Sequence, residues 1–130
     1  MPKTAILISD VHAPLHDEQA VQVLFKSIAL VKPDIIVVMG DFGEMHSVSS
    51  FAFSRRKRPP LEYILQALDP ELEAVNDMLD RLDIVCRNAG VKEKHFLIGN
   101  HEYYIVGRCR FHGKNGAFLH VYGCVFRNHH

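Results

Sequence analysis

The sequence predicts an α/β fold built on a parallel strand–helix–strand–helix–strand arrangement. Three short runs of apolar, mostly branched residues, at positions 5–8, 35–39 and 96–98, are too short for buried helices. Each run ends in polar or glycine-containing sequence, which is typical of buried parallel strands. Two stretches with apolar residues at helical spacing separate the runs. Strands and helices that alternate in this way form a parallel sheet with right-handed crossovers.

The first predicted helix lies between the first two strands. Its apolar residues recur three and four positions apart: Val21, Leu24, Phe25 and Ile28. Asp17 has the short acceptor side chain that suits an N-cap, and Pro33 lies just beyond the end of the pattern.

The second connection is predicted to hold two helices, a short one at 61–68 and a longer one at 70–89. Asp69 suits the N-cap of the longer helix, Pro70 its first position and Gly90 its C-terminal stop. The apolar stripe of this helix, which is expected to face the sheet, consists of Leu72, Val75, Leu79, Leu82, Cys86 and Ala89.

Composition excludes several classes of protein. The 130 residues are 48% hydrophobic and 23% charged, which is ordinary for one globular domain. No apolar run approaches the roughly 20 residues that span a bilayer, and no secretory signal opens the chain, so we expect a cytoplasmic location without membrane partners. The three cysteines form no Cys-x-x-Cys pair, which argues against a structural zinc site. A net charge of zero gives no global case for nucleic-acid binding.

A polar segment follows each predicted strand. These segments are Ser9-Asp10-Val11-His12, Gly40-Asp41-Phe42-Gly43 and Gly99-Asn100-His101-Glu102. Ligand sites in open parallel sheets form at the carboxyl ends of the strands. The first segment offers a carboxylate and an imidazole to one cation, the second a carboxylate that can bridge two cations, and the third a neutral amide oxygen. Asp-x-His and Gly-Asp are weak signals alone, Gly-Asn-His-Glu is considerably more specific, and all three in this order are a strong signal.

These segments resemble the first three motifs of the calcineurin-like metallophosphoesterase family, over residues 3–104. The resemblance implies that Asp10 and His12 bind the first metal, that Asp41 bridges both, and that Asn100 binds the second metal and contacts phosphate. It also implies that His101 protonates the leaving oxygen, and Glu102 is expected to orient a neighbouring group. The fold it implies is the parallel half of the family's α/β sandwich, here incomplete.

The implied reaction is the hydrolysis of a phosphomonoester or phosphodiester with two divalent cations. Two cations can neutralise the phosphoryl oxygens and supply a nucleophile near neutral pH. Mixed oxygen and nitrogen ligands suit manganese, iron or zinc, of which we favour manganese.

The sequence also departs from the family. It contains no Gly-His-x-His, so the second metal has only Asp41 and Asn100, unless His120, in a β-like run at 118–126, replaces one missing histidine. We interpret 1–106 as the amino-terminal part of a phosphoesterase domain and 107–130 as an atypical tail that is not family-like. The expectation is a truncated domain with an exposed sheet edge that promotes self-association.

Two questions of function stay open at this stage. Arg55, Arg56 and Arg58 could hold remote phosphates of a substrate such as nucleic acid, although a solvated loop is the plainer reading. The alternative function is a non-catalytic scaffold or protein-interaction module of the same fold, which the missing histidines favour. A nucleotide-binding domain is weakly supported because no Gly-x-Gly-x-x-Gly follows any strand.

Overall fold

A computed structural model of the chain describes residues 2–49, 57–106 and 121–122. The elements in chain order are β1 (Ala5–Ile8), α1 (Glu18–Val31), β2 (Ile35–Val38), a short 3₁₀ helix (His46–Val48), α2 (Leu61–Ala89), β3 (Glu93–Leu97), α3 (Asn100–Val106) and β4 (Val121–Tyr122). Among these residues, no helix combines the length and the apolar composition needed to cross a bilayer.

The strands form one parallel sheet in the order β1-β2-β3-β4. In the register of the first three strands, Ile8 lies beside Val38 and Val38 beside Phe96. The carboxyl ends of these strands are therefore level, and the loops that follow them start side by side. The predicted α/β class with a parallel sheet is confirmed.

Within the described residues, helices cover one face of the sheet and leave the other face exposed. Ile8, Val38 and Phe96 are buried, whereas Leu7 and Leu97, one position away on their strands, are 62% and 36% exposed. The covered face shares one apolar core with α1 and α2, which contact each other. The helices therefore lie on the same side of the sheet, as two right-handed crossovers between sequential strands require.

Helix α1 has the boundaries that the sequence predicts. The Asp17 carboxylate accepts hydrogen bonds from the backbone N–H of Gln19 (2.8 Å) and of Ala20 (3.3 Å), so it is the N-cap. The helix ends at Lys32, whose backbone is left-handed, directly before the buried Pro33.

Helix α2 differs from the prediction. It is one continuous helix that passes through Pro70, so the predicted break, with Asp69 as N-cap, is wrong. Leu68 before the proline and Val75 after it are both buried in the same core, and this shared packing outweighs the hydrogen bond that Pro70 cannot donate. Gly90, in the left-handed region, ends the helix as predicted.

Strand β3 begins earlier than predicted, at Glu93 rather than at Phe96. Its first residues are polar, which hid them from a search for apolar runs. Lys94 is accommodated on the covered face because its ammonium group is paired with the buried carboxylate of Asp83. Asp83 also pairs with Arg87 at 3.0 Å, so the buried charge is compensated on both oxygens.

Candidate metal centre

The loops after β1 and β2 run side by side beyond the ends of their strands. The backbone N–H of Asp10 donates to the Gly40 carbonyl at 3.3 Å, and that of His12 donates to the Asp41 carbonyl at 3.0 Å. The pairing continues at Ala13, whose N–H donates to the Phe42 carbonyl at 2.8 Å and whose carbonyl accepts from the N–H of Glu44 at 2.9 Å. The first two predicted motifs are therefore held together by backbone hydrogen bonds.

The backbone turns sharply at three of the predicted ligands. Asp10, His12 and Asp41 have φ angles of 56°, 53° and 51°, in the left-handed region that residues other than glycine rarely adopt. Each such residue costs about 1–3 kcal/mol, and such costs concentrate at functional sites because the surrounding structure must hold them.

The side chains of these three residues converge. One donor atom from each of Asp10, His12 and Asp41 lies within 4.8 Å of the others. His12 Nε2 is 3.6 Å from Asp10 Oδ1. Two carboxylates and one imidazole, with no cationic side chain in the group, are a donor set that suits a divalent transition metal.

Asn100 lies beside Asp41, in the segment that follows β3. One end of its amide is 3.0 Å from Asp41 Oδ2 and 3.3 Å from Oδ1. If this end is the nitrogen, the amide donates hydrogen bonds to the carboxylate. If it is the oxygen, three acceptor oxygens face one another, an arrangement that becomes favourable with a cation between them. The nitrogen at this end satisfies both groups directly, and a cation shared by Asn100 and Asp41 would require the oxygen there instead.

His101 is fixed by two hydrogen bonds. Its backbone N–H donates to Asp41 Oδ1 at 3.0 Å, and its Nδ1 lies 2.6 Å from the Glu44 carbonyl oxygen. Because a carbonyl only accepts, Nδ1 carries the proton of the neutral ring and Nε2 is left to exchange a proton. The ring stands edge-on to that of His12, with centroids 4.8 Å apart.

Glu102 ties the second and third loops together. Its carboxylate is buried and accepts from the backbone N–H groups of Asp41, Gly43 and Gly99, each at 2.9 Å. Three N–H donors satisfy a charge that burial would otherwise penalise. Glu102 therefore positions the backbone on both sides of Asp41, as expected from the sequence.

The two glycines before Asp41 and Asn100 allow these loops to touch. A Cβ on Gly40 would lie 2.6 Å from the Gly99 backbone, and one on Gly99 would clash with Asp41 Oδ1. Gly40 also has a φ of 100°. Gly99 does not have a positive φ, so a glycine is required there by its close approach to Asp41 rather than by its backbone conformation.

The calcineurin-like phosphoesterase family model matches residues 3–128 of this chain. The chain belongs to the calcineurin-like phosphoesterase family. Residues 3–104, which carry the three motifs, fall within the matched range, and the resemblance to this family is confirmed. No curated protein and no solved structure matches the chain significantly.

Glu44 is a residue of this candidate centre that the sequence analysis did not identify. Its carboxylate Oε2 lies 2.7 Å from His12 Nδ1, and its carbonyl is the acceptor for His101. The available signal was an acidic residue three positions after Asp41, between Gly43 and the buried Met45. His12, Glu44 and His101 form the second group of close donor atoms within the described part of the chain.

The remaining predicted site residues are Arg55, Arg56, Arg58 and His120. Arg58 is exposed in the segment that leads into α2. Arg55, Arg56 and His120 lie outside the described residues. The proposed substrate contacts of the three arginines, and the proposed place of His120 in the second metal site, therefore stay predictions.

An open cavity of about 420 Å³ adjoins the centre at Asp10. It is lined on one side by Ser9, Val11 and His16, and on the other by the first turns of α1. The Asp10 side chain is 65% exposed, so solvent and small ligands reach the carboxylate from this side.

Proposed function

We propose that this chain is a metal-dependent phosphoesterase that hydrolyses a phosphomonoester or phosphodiester. The observation that carries the proposal is the convergence of donor atoms from Asp10, His12 and Asp41 at the strand ends, within 4.8 Å of one another. Family membership supports the same reaction class.

The residues have distinct proposed roles in binding cations. Asp10 and His12 hold the first cation, Asp41 is shared, and Asn100 contributes an amide oxygen to the second and contacts the phosphate. We propose manganese as the native metal, with iron and zinc as the other candidates, because the donors mix oxygen and nitrogen. When bound, two such cations supply charge neutralisation and a nucleophilic water for attack on phosphorus.

His101 is proposed to deliver a proton to the leaving oxygen. Its Nδ1–H is held by the Glu44 carbonyl, so the ring cannot rotate freely and Nε2 is the atom that exchanges the proton. A histidine loses its charge near neutral pH, which makes it suitable as a general acid.

Metal content and turnover test the proposal together. Manganese binding is measured by titration calorimetry and elemental analysis, and turnover with bis-para-nitrophenyl phosphate. Asp41→Asn should lose both metal and turnover while keeping the fold, because asparagine tolerates the left-handed backbone at this position. His101→Ala should keep its metal and lose about 10²–10⁴-fold in rate.

Glu73→Gln, on an exposed position of α2, is the matched control and should resemble the wild type. A wild-type chain that binds no manganese and hydrolyses nothing would contradict the proposal.

A second candidate is a non-catalytic scaffold of the same fold. It is favoured by the small number of ligands for the second cation. Within the described residues, Asp41 and Asn100 are the side chains that we propose as its ligands. Binding of a single metal ion with low affinity would support the scaffold. So would a trace of hydrolysis that His101→Ala leaves unchanged, since such background does not depend on the site.

We also propose, on the sequence grounds given above, that nucleic acid is one substrate class and that the protein acts in the cytoplasm. Exposed Arg58 supports the first point, since it leaves a guanidinium group available to a phosphate backbone. Cleavage of a short oligonucleotide, weakened by Arg58→Gln, is the corresponding assay.

A further inference from the structure

Glu44 connects the loops of the metal centre through three separate groups. Its backbone N–H donates to the Ala13 carbonyl at 2.9 Å, and its own carbonyl accepts from His101 at 2.6 Å. Its carboxylate Oε2 lies 2.7 Å from His12 Nδ1. The Glu44 side chain is 21% exposed, so this last contact is largely sheltered from water.

We propose that Glu44 is a positioning residue whose carboxylate fixes the tautomer and orientation of His12. The inference rests on the proposed function, in which His12 is a ligand of the first cation. It assigns to the Glu44 side chain a task separate from that of its carbonyl, which holds His101.

The tautomer follows from the partners of the ring. An ionised carboxylate only accepts hydrogen bonds, so the proton of the neutral His12 ring lies on Nδ1. Nε2 is then unprotonated, and it is the nitrogen that lies toward Asp10, at 3.6 Å from Oδ1. A metal requires this free lone pair, and a carboxylate on the far nitrogen of a ligand histidine fixes the orientation of its ring.

Glu44 could instead be a ligand itself, since His12, Glu44 and His101 present donor atoms within 4.8 Å of one another. Two contacts argue against this. A cation there would displace the proton between His12 and Glu44, and the Nδ1 atom of His101 already donates to the Glu44 carbonyl. It would also withdraw His12 from Asp10 and Asp41.

The first measurement needs no metal and no substrate. Two-bond ¹H–¹⁵N correlation spectra of the imidazoles, recorded on the metal-free chain, report which nitrogen of His12 carries the proton. The wild type should show the Nδ1–H tautomer. Glu44→Ala should shift His12 toward the Nε2–H tautomer, while Glu44→Gln, whose amide oxygen still accepts from Nδ1–H, should retain most of the wild-type signal.

The second measurement is manganese affinity by titration calorimetry. Loss of such a carboxylate typically weakens metal binding about 10–100-fold, and this is the expected effect of Glu44→Ala. Glu44→Gln should lose less, and Glu73→Gln nothing. If Glu44→Ala does not fold, Glu44→Gln is the test variant, and its manganese affinity should fall several-fold.

An unchanged His12 tautomer or an unchanged manganese affinity in Glu44→Ala would overturn the inference. So would loss of one whole equivalent of manganese in Glu44→Gln with the tautomer intact, since that result makes Glu44 a ligand. A wild type that binds manganese without turnover would count against the proposed activity alone. If the wild type binds no manganese, the His12 tautomer in the wild type and in Glu44→Ala decides whether Glu44 positions this ring.

Discussion

At the scale of single residues, the site is built from unfavourable backbone conformations. Asp10, His12 and Asp41 all lie in the left-handed region, two to four residues after the ends of their strands. The hydrogen bonds between the first two loops, together with the Glu102 carboxylate, hold these conformations in place. The chain thus accepts local strain so that its donor atoms point toward one another.

Asp10 allows this cost to be measured, because its side chain is exposed and packs little. Asp10→Gly removes the clash of Cβ with the left-handed backbone, whereas Asp10→Ala keeps the clash and removes the carboxylate. We expect metal-free Asp10→Gly to be about 0.5–1 kcal/mol more stable than Asp10→Ala in urea unfolding.

Both Asp10 variants should lose manganese affinity, which separates the effect on stability from the effect on binding. Equal stabilities of the two variants would show that the left-handed backbone at Asp10 carries no cost.

At the scale of elements, α2 shows how packing overrides local signals. Asp69-Pro70 is a strong signal for the start of a helix, yet the helix runs through it from Leu61. The first two turns are retained because Leu68 reaches the same core as the residues after the proline. The interior proline therefore remains a weak point of an otherwise regular helix.

Two substitutions distinguish the continuous helix from two helices. In a continuous helix, Pro70→Ala restores a hydrogen bond and should stabilise the protein by about 1–3 kcal/mol, while Asp69→Ala should be nearly neutral. Two helices that meet at Asp69 predict the reverse, with Pro70→Ala neutral and Asp69→Ala costing about 1 kcal/mol. Urea unfolding of both variants decides between these arrangements.

At the scale of the whole molecule, the sheet is covered by helices on one face within the described residues. Leu7 and Met39, on or beside the strands, are 62% and 48% exposed on the other side. Strand β1 is also an edge of the sheet in the described residues. An apolar face beside a strand edge is a surface that readily pairs with another copy.

We therefore expect concentration-dependent self-association that Leu7→Lys weakens, because a charge on this face opposes both burial and edge pairing. Leu30→Lys is the control, since Leu30 is 86% exposed on α1 rather than on the sheet. Sedimentation velocity over a range of concentrations measures the effect. A wild type that stays monomeric throughout would refute the expectation.

The sequence alone determined the parallel α/β class, the limits of α1 and the loops in which the site lies. These features depend on local pattern: apolar runs, caps and polar residues directly after strands. Only the tertiary structure decided that α2 is continuous, that β3 begins with the polar residues Glu93 and Lys94, and that Glu44 contacts His12. Each of these depends on a partner distant in sequence, such as Asp83 across the core for Lys94, and no local pattern encodes such a contact.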